Sequence, residues 1–111
     1  MIIGIATEGN NASQHFGHCE GFTLYEVADN KINNKTFVEN PGHEPGFLPK
    51  FLAGKNVNVI LAGGMGRKAV ELFEQNNIKV VVGVRGDIDA AMDEYLKGDL
   101  KSTGSICDHE H

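Results

Sequence analysis

Residues 57–82 read VNVILAGGMGRKAVELFEQNNIKVVV, and the order of patterns in this stretch decides the fold. Residues 57–62 are almost all apolar, which is typical of a buried strand in a parallel part of a sheet. A glycine-rich turn follows, then an apolar stripe at helical spacing that ends near Asn76, then a second apolar run over residues 78–82. Strand, helix and strand in this order predict a βαβ unit with a right-handed crossover.

The chain before this unit predicts a central strand and a hairpin. Apolar residues 2–6 indicate a short central strand, and the polar segment 7–11 is expected to end it. Residues 22–27 and 32–38 indicate two more strands, separated by the turn formers of residues 28–31. We therefore expect an antiparallel hairpin on one side of the sheet.

Two more helices complete the predicted domain. A loop at residues 40–46 with two prolines and two glycines precedes a short helix at residues 47–52. A last helix begins after Asp87 and ends at Gly98. The sequence thus predicts one α/β domain over residues 1–98, with a mixed sheet covered by about three helices.

Length and charge exclude several classes of protein. A chain of 111 residues is long enough to bury one core without a disulfide or metal. The formal net charge of −5 argues against a nucleic-acid binder, and no apolar run approaches the roughly 20 residues that span a membrane. The start at Met1 lacks the features of a secretion signal, and the two cysteines are far apart in sequence. We expect a reduced, cytoplasmic protein.

Three potential metal ligands lie close together in the segment SQHFGHC at residues 13–19. His15, His18 and Cys19 are of the types that bind zinc, copper and iron–sulfur centres. The segment connects two predicted strands, and such loops often carry function. It is therefore the first candidate metal site, whereas His43 is interpreted as a solvated loop residue.

The polar C-terminal segment, residues 99–111, is predicted to be a mobile tail. Its residues Cys107, His109 and His111 have the spacing C-x-H-x-H, which can bind a soft metal, with zinc or copper as alternatives to an iron cluster. The alternative interpretation is a disordered tail that happens to be rich in histidine.

The glycine turn of residues 63–66 is a candidate anion site, because it joins a strand to a helix N-terminus. The amides of Gly64 and Gly66 would bind the anion, and Arg67 adds positive charge. The spacing fits neither a dinucleotide-binding fingerprint nor a P-loop. The alternative is a tight turn whose glycines permit positive φ and close packing of helix on sheet.

Catalytic arrangements are harder to find in the sequence. Ser13 lies close to His15, but no third group or nucleophile elbow accompanies them. The carboxylates do not cluster as a two-metal nuclease requires. We therefore predict a protein that is not an enzyme.

Three motifs in order resemble the dinitrogenase iron–molybdenum cofactor biosynthesis family over nearly all of residues 1–98. They are QHFG at residues 14–17, NPG at residues 40–42, and AGGMG at residues 62–66, followed by Ala69 and Phe73. The resemblance implies a ribonuclease-H-like fold with a central five-stranded mixed sheet, the first three strands antiparallel, and no nuclease activity. It also implies that His15 holds a metal–sulfur cluster.

The leading hypothesis is a non-enzymatic carrier or scaffold for an iron–sulfur or molybdenum-containing cluster. His15 would be the principal ligand, His18 and Cys19 would be auxiliary, and the Gly64 and Gly66 amides would hold anionic sulfide or an oxoanion. The expected partner is a cluster-assembly or acceptor metalloprotein. The alternative is an anion- or nucleotide-binding regulatory module that uses residues 63–66, and the sequence leaves the oligomeric state open.

Overall fold

A computed structural model of the protein describes residues 1–16, 19–42 and 47–98. Within these ranges the chain forms six strands and three helices. They are β1 (Ile2–Glu8), β2 (Asn11–Ala12), β3 (Gly21–Ala28), β4 (Lys31–Glu39), α1 (Phe47–Gly54), β5 (Val59–Leu61), α2 (Arg67–Gln75), β6 (Lys79–Val81) and α3 (Ile88–Leu96).

The strands form one mixed sheet in the order β4-β3-β1-β5-β6, and the two-residue strand β2 pairs with β1. The first three long strands, β1, β3 and β4, are antiparallel neighbours, whereas β1, β5 and β6 are parallel. The predicted hairpin, the central position of the first strand and the βαβ unit are confirmed. Five main strands and three helices in this order within the described residues form the expected ribonuclease-H-like fold.

The hairpin turn has the geometry that its residues favour. Asp29 and Asn30 both have positive φ, at 53° and 61°. Two left-handed residues make the tight turn whose twist matches that of the flanking strands, and Asp and Asn tolerate this conformation better than most residues. The register is regular from Glu39 back to Asn34 and shifts between Glu26 and Val27 on the partner strand.

One prediction about the first strand is wrong, since the polar segment at residues 7–11 does not end it at Ala6. Thr7 and Glu8 continue β1, and the chain then turns back so that Thr7 pairs with Ala12. Gly9, with φ of 65°, allows the turn. The Thr7 hydroxyl also lies 2.9 Å from that of Thr23 in the neighbouring strand, so a polar side chain is accommodated in a buried position.

The two faces of the sheet carry separate apolar cores. One core lies with α1 and α2 and includes Phe22, Leu52 and Phe73. The other lies with α3 and includes Tyr25 and Met92. Buried side chains on both faces of β3 agree with the apolar residues that the sequence places on both of its sides.

The predicted ends of α3 are also confirmed. The Asp87 carboxylate accepts a hydrogen bond of 3.0 Å from the Ala90 amide, which caps the helix N-terminus. Gly98 follows the helix with φ of 81°. None of the helices in the described residues is long and apolar enough to cross a membrane. The predicted tail at residues 99–111 lies outside the described residues.

Candidate functional site

The sheet brings the two sequence-predicted segments to one edge. Strands β1, β5 and β6 are parallel, so their carboxyl ends meet at the same edge of the sheet. The segment at residues 13–19, called the histidine loop below, follows β1 and β2. The glycine turn at residues 63–66 follows β5. Ligands of open α/β sheets bind at this kind of edge, where the loops lie beyond the strand ends.

Backbone hydrogen bonds join the histidine loop directly to the glycine turn. The Gly63 amide donates to the Ser13 carbonyl at 2.8 Å, and the Phe16 amide donates to the Gly64 carbonyl at 3.2 Å. The Gly83 amide in turn donates to the Gly63 carbonyl at 3.0 Å. The loop is therefore bonded through its backbone to the turn after β5, and that turn is bonded in the same way to Gly83, which follows β6.

Gly63 is the point of closest approach between the two segments. A Cβ atom at this position would lie 2.6 Å from Gln14 Nε2 and 2.7 Å from the Ser13 carbonyl oxygen. Real Cβ atoms do not come this close to other atoms, so a side chain at residue 63 would push the loop away. The close contact at the first glycine is thus with the histidine loop, whereas the sequence analysis expected close packing of helix on sheet.

The expectation of positive φ in the glycine turn is wrong at Gly66, which has φ of −67° and ψ of 152°. Gly64 is not among the described glycines with positive φ either. Since Gly66 is extended and a Cβ there would meet nothing within 4 Å, an alanine fits at this position.

His15 is exposed, while Ser13 and Phe16 on either side of it are buried. The Ser13 hydroxyl accepts from the His15 amide at 3.2 Å and donates to the His15 carbonyl at 3.1 Å. Phe16 is 6% exposed, and its ring centroid lies 5.3 Å from that of Phe73, edge to face. The imidazole of His15 is thus presented to solvent on a fixed backbone.

Cys19 differs from His15 because its side chain is buried, with 4% exposure. Asn40 Nδ2 donates to the Cys19 carbonyl at 3.0 Å and lies 3.8 Å from its Sγ atom. Burial raises the pKa of the Cys19 thiol to about 11, so the group is protonated at neutral pH. In this conformation the thiol is enclosed in the core, so it is not accessible to a metal ion.

His18, Cys107, His109 and His111 lie outside the described residues, as does His43. Within the part of the chain that the structure describes, no three or more His, Cys, Asp or Glu side chains are grouped so that they could hold a metal ion. Among the candidate ligands that are described, His15 is therefore the exposed one.

Helix α2 begins directly after the glycine turn and brings its N-terminus to this edge. Gly66 is its N-cap residue and makes no side-chain capping hydrogen bond. Arg67 is the first residue of the helix and is exposed. A helix N-terminus carries partial positive charge, so this part of the edge favours an anion.

Three residues of the site were missed as functional positions by the sequence analysis. Ser13 holds the His15 backbone, Gly63 permits the approach of the loop, and Asn40 secures Cys19. Asn40 lies in one of the quoted family motifs, which is the signal that would have found it. The other two act through contacts between segments that are distant in sequence.

A depression of about 450 Å³ lies elsewhere, against the N-terminus of α3 and the outer strands of the hairpin. It does not include His15 or the glycine turn. Its lining residues are Thr7, Gly9, Asn10, Glu20, Thr23, Lys35, Phe37 and Ile88.

The fold and the edge site define a small ribonuclease-H-like α/β protein in which a histidine loop is bonded to a glycine turn. The chain belongs to the dinitrogenase iron-molybdenum cofactor family, whose sequence model matches residues 1–98. An uncharacterized protein of Methanocaldococcus jannaschii is 32% identical in an alignment of 106 residues that covers 91% of this chain and 90% of the relative.

Solved structures show the same fold. The crystal structure of PH0822 is 33% identical, with a TM-score of 0.87 over 94% of this chain and 96% of that one. The apo form of the orange protein from Desulfovibrio gigas is 23% identical, with a TM-score of 0.80 over 94% of this chain and 93% of that one. The family is thus linked by name to a metal cofactor. The fold is shared with both solved structures over 94% of this chain.

Proposed function

We propose that this protein is a non-enzymatic carrier or scaffold that holds an iron–sulfur or molybdenum-containing cluster as cargo at the His15 edge of the sheet. The observation that carries the proposal is one exposed imidazole on a backbone that is bonded to the glycine turn. Membership of the dinitrogenase iron-molybdenum cofactor family supports the choice of cargo.

The described ligand set suits a cargo better than a resident cofactor. Resident iron–sulfur clusters are usually held by about four cysteine thiolates. Here the described residues offer one exposed soft ligand, His15, with the helix N-terminus behind Gly66 to favour the negative charge of sulfide or an oxoanion. Few protein ligands leave a cluster exchangeable, which a carrier requires.

Cys19 and His18 act as auxiliary ligands in this proposal. Cys19 joins only after the loop opens, because its thiol must leave the core and lose its proton before it can bind a metal. The partner is then a cluster-assembly or acceptor metalloprotein in a reducing compartment, the cytoplasm, where a free Cys19 thiol is kept reduced.

Anaerobic reconstitution tests the role of His15. The protein is incubated with ferrous iron, sulfide and molybdate, and the retained metals are measured after gel filtration. We expect His15→Ala to lower metal retention by at least about tenfold, because losing even a residue that hydrogen-bonds to a metal ligand usually costs that much. His43→Ala is the matched control, since it removes one imidazole outside the histidine loop.

Circular dichroism of the two variants must match that of the parent, because an exposed loop side chain contributes little to the core. Equal retention by His15→Ala and His43→Ala would show that His15 is not the principal ligand. Loss of retention in both variants to the same degree would mean that histidine number, and not the His15 edge, determines binding.

The alternative function, an anion- or nucleotide-binding regulatory module, is favoured by one observation. Helix α2 begins at a glycine that makes no side-chain cap, next to exposed Arg67. This module would bind molybdate or a nucleotide without iron, and Arg67→Ala would weaken that binding most at low salt. His15→Ala would leave the binding of molybdate or a nucleotide unchanged. Arg67→Ala and His15→Ala together therefore separate the two functions.

A further inference from the structure

Strand β4 lies at one edge of the sheet and is paired on one side only. Its neighbour is β3, and within the described ranges no strand pairs with its other side. All of its residues except Val38 are exposed. A free strand edge carries N–H and C=O groups that can pair with another strand.

The hydrogen-bond pattern shows which backbone groups face away from the sheet. The backbone amide of Asn40, directly after β4, donates to the carbonyl of Glu20, directly before β3. Bonding directions alternate along a strand, so even-numbered residues of this part of β4 face β3. The backbone groups of Lys35, Phe37 and Glu39 therefore point outward at the free edge.

One device that blocks edge pairing, a β-bulge, is confined to the other half of β4. The register shift between Glu26 and Val27 falls opposite the beginning of the strand. From residue 34 to residue 39 the register is regular. A bulge bends a strand and disrupts its ladder, so the regular half is the part that is able to pair.

The charges of this half complement themselves in one antiparallel register. If two copies pair around Phe37, Lys35 of each, which also pairs with Asp89 of its own chain at 2.9 Å, faces Glu39 of the other, which gives two opposite-charge pairs. Pairing centred on Lys35 would instead oppose two lysines, and pairing centred on Glu39 would oppose two glutamates. Like charges directly opposite are destabilising.

Phe37 lies at the centre of the same register and is an exposed apolar residue of the edge. It is 50% exposed, and its ring lies over Gly21 of β3, where a Cβ atom would come within 2.4 Å of it. The ring is thus held on the sheet with half its surface open to solvent.

We propose that β4 is a self-association edge, at which two copies of this chain pair antiparallel around Phe37 to form one continuous sheet. The edge is short compared with stable interfaces, which bury about 1,200–2,000 Å² in total, so the dimer is reversible. Because the two β4 strands run in opposite directions, the His15 edges of the two copies point away from each other. Both edges stay open to cargo and partners.

Cysteine cross-linking reads the register directly. The variants Phe37→Cys and Thr36→Cys are made in a Cys107→Ser background and oxidised with glutathione disulfide at about 0.5 mM protein. In the proposed register the Cα atoms of the two copies of residue 37 lie about 5.5 Å apart, within disulfide range. The two copies of residue 36 are diagonal neighbours at about 7–8 Å, which is too far. We expect Phe37→Cys to cross-link at least fivefold faster.

Sedimentation supplies the second measurement, made on the full chain without substitution between about 10 µM and 1 mM. The average mass should rise from 12.0 kDa toward that of a dimer. Glu39→Lys should weaken association about tenfold, since it puts like charges opposite each other. Circular dichroism confirms that each variant is folded.

Two results would overturn the proposal. One is a monomer at every concentration in sedimentation, with cross-linking of Phe37→Cys no faster than that of the Cys107→Ser background. The other is faster cross-linking of Thr36→Cys, which would mean that the copies pair in a different register with Lys35 opposite Phe37.

Discussion

At the scale of single residues, two glycines of the glycine turn differ in how much space surrounds them. Gly63 packs so tightly on the histidine loop that a Cβ atom would meet the Ser13 carbonyl and the Gln14 amide. Gly66 has ordinary extended backbone and open space around its Cα atom. Gly63 is therefore required by close packing at the site, whereas neither a close contact nor the backbone conformation requires glycine at residue 66.

We expect Gly63→Ala to lower the free energy of unfolding by about 1–3 kcal/mol, the usual cost of overpacking. Gly66→Ala should cost less, about 0.5–1 kcal/mol, because alanine fits the extended backbone there but is a poorer N-cap residue than glycine. Urea unfolding monitored by circular dichroism measures both. If Gly66→Ala also lowers cargo retention per folded molecule, the amide at residue 66 contributes to binding.

A different pattern would contradict this division of roles. Equal stability of Gly63→Ala and the parent would show that the loop at residues 13–16 moves freely away from the turn. A large loss of stability in Gly66→Ala would show that packing, and not an open helix N-terminus, requires glycine there.

At the scale of elements, one carboxylate connects α3 to the hairpin. Asp89 Oδ1 accepts hydrogen bonds from the Tyr25 hydroxyl at 2.8 Å and from Lys35 Nζ at 2.9 Å. The hydrogen bond from Lys35, then that from Tyr25, lowers the pKa of Asp89, while burial raises the pKa of Tyr25. Two strands and a helix are thus joined by one polar cluster on the α3 face.

The lowered pKa of Asp89 gives a pH prediction with a definite sign. Its contribution to stability is fully present above the unfolded pKa of about 4 and is lost as pH falls through the lower folded value. Asp89→Asn should therefore be less stable than the parent at pH 7, by about 0.5–1 kcal/mol since the carboxylate is mostly exposed. The difference should shrink below about pH 4.

Unfolding curves of the parent and Asp89→Asn at pH 7 and pH 3 check this prediction. Asp93→Asn is the matched control, because Asp93 forms an exposed ion pair with Lys97 within the same helix and does not reach the hairpin. A stability difference for Asp89→Asn that does not depend on pH would mean that its ionic hydrogen bonds are not what stabilises the junction.

The sequence predicts the elements well because their signals are local. The hairpin turn at Asp29 and Asn30, the cap at Asp87 and the end at Gly98 each depend on the conformation of one or two residues. The return of the chain at β2 was missed, because it depends on a two-residue pairing that no periodicity reveals.

The site is less predictable than the elements, since its contacts join distant segments. Gly63 bonds Ser13 across 50 residues, and Asn40 reaches Cys19 across 21 residues. Residue types alone grouped His15 and Cys19 as similar ligands, whereas the fold leaves one exposed and buries the other. Which ligand is accessible depends on packing between distant segments, and residue type and spacing do not reveal that packing.

At the scale of the whole molecule, the sheet separates two surfaces. The carboxyl ends of β1, β5 and β6 carry the His15 edge, while β4 forms the proposed association edge on the hairpin side. β4 and the His15 loop belong to different borders of the sheet, one parallel to the strands and one across their ends. Association through β4 and loading at His15 are therefore expected to be independent of each other.

The family match ends at residue 98, directly after α3, and the remaining residues are polar and without periodicity. A segment with little to bury cannot contribute much to the core, so removal of residues 102–111 should leave the melting temperature within a few degrees.

If Cys107, His109 and His111 form a separate metal-capturing arm, the truncated protein should bind less zinc or copper while His15-dependent retention of iron and sulfide is unchanged. Calorimetry and metal analysis of the two proteins measure this. A large fall in melting temperature would show that the tail docks on the domain, and unchanged loading with every metal would show that the arm does not bind metal.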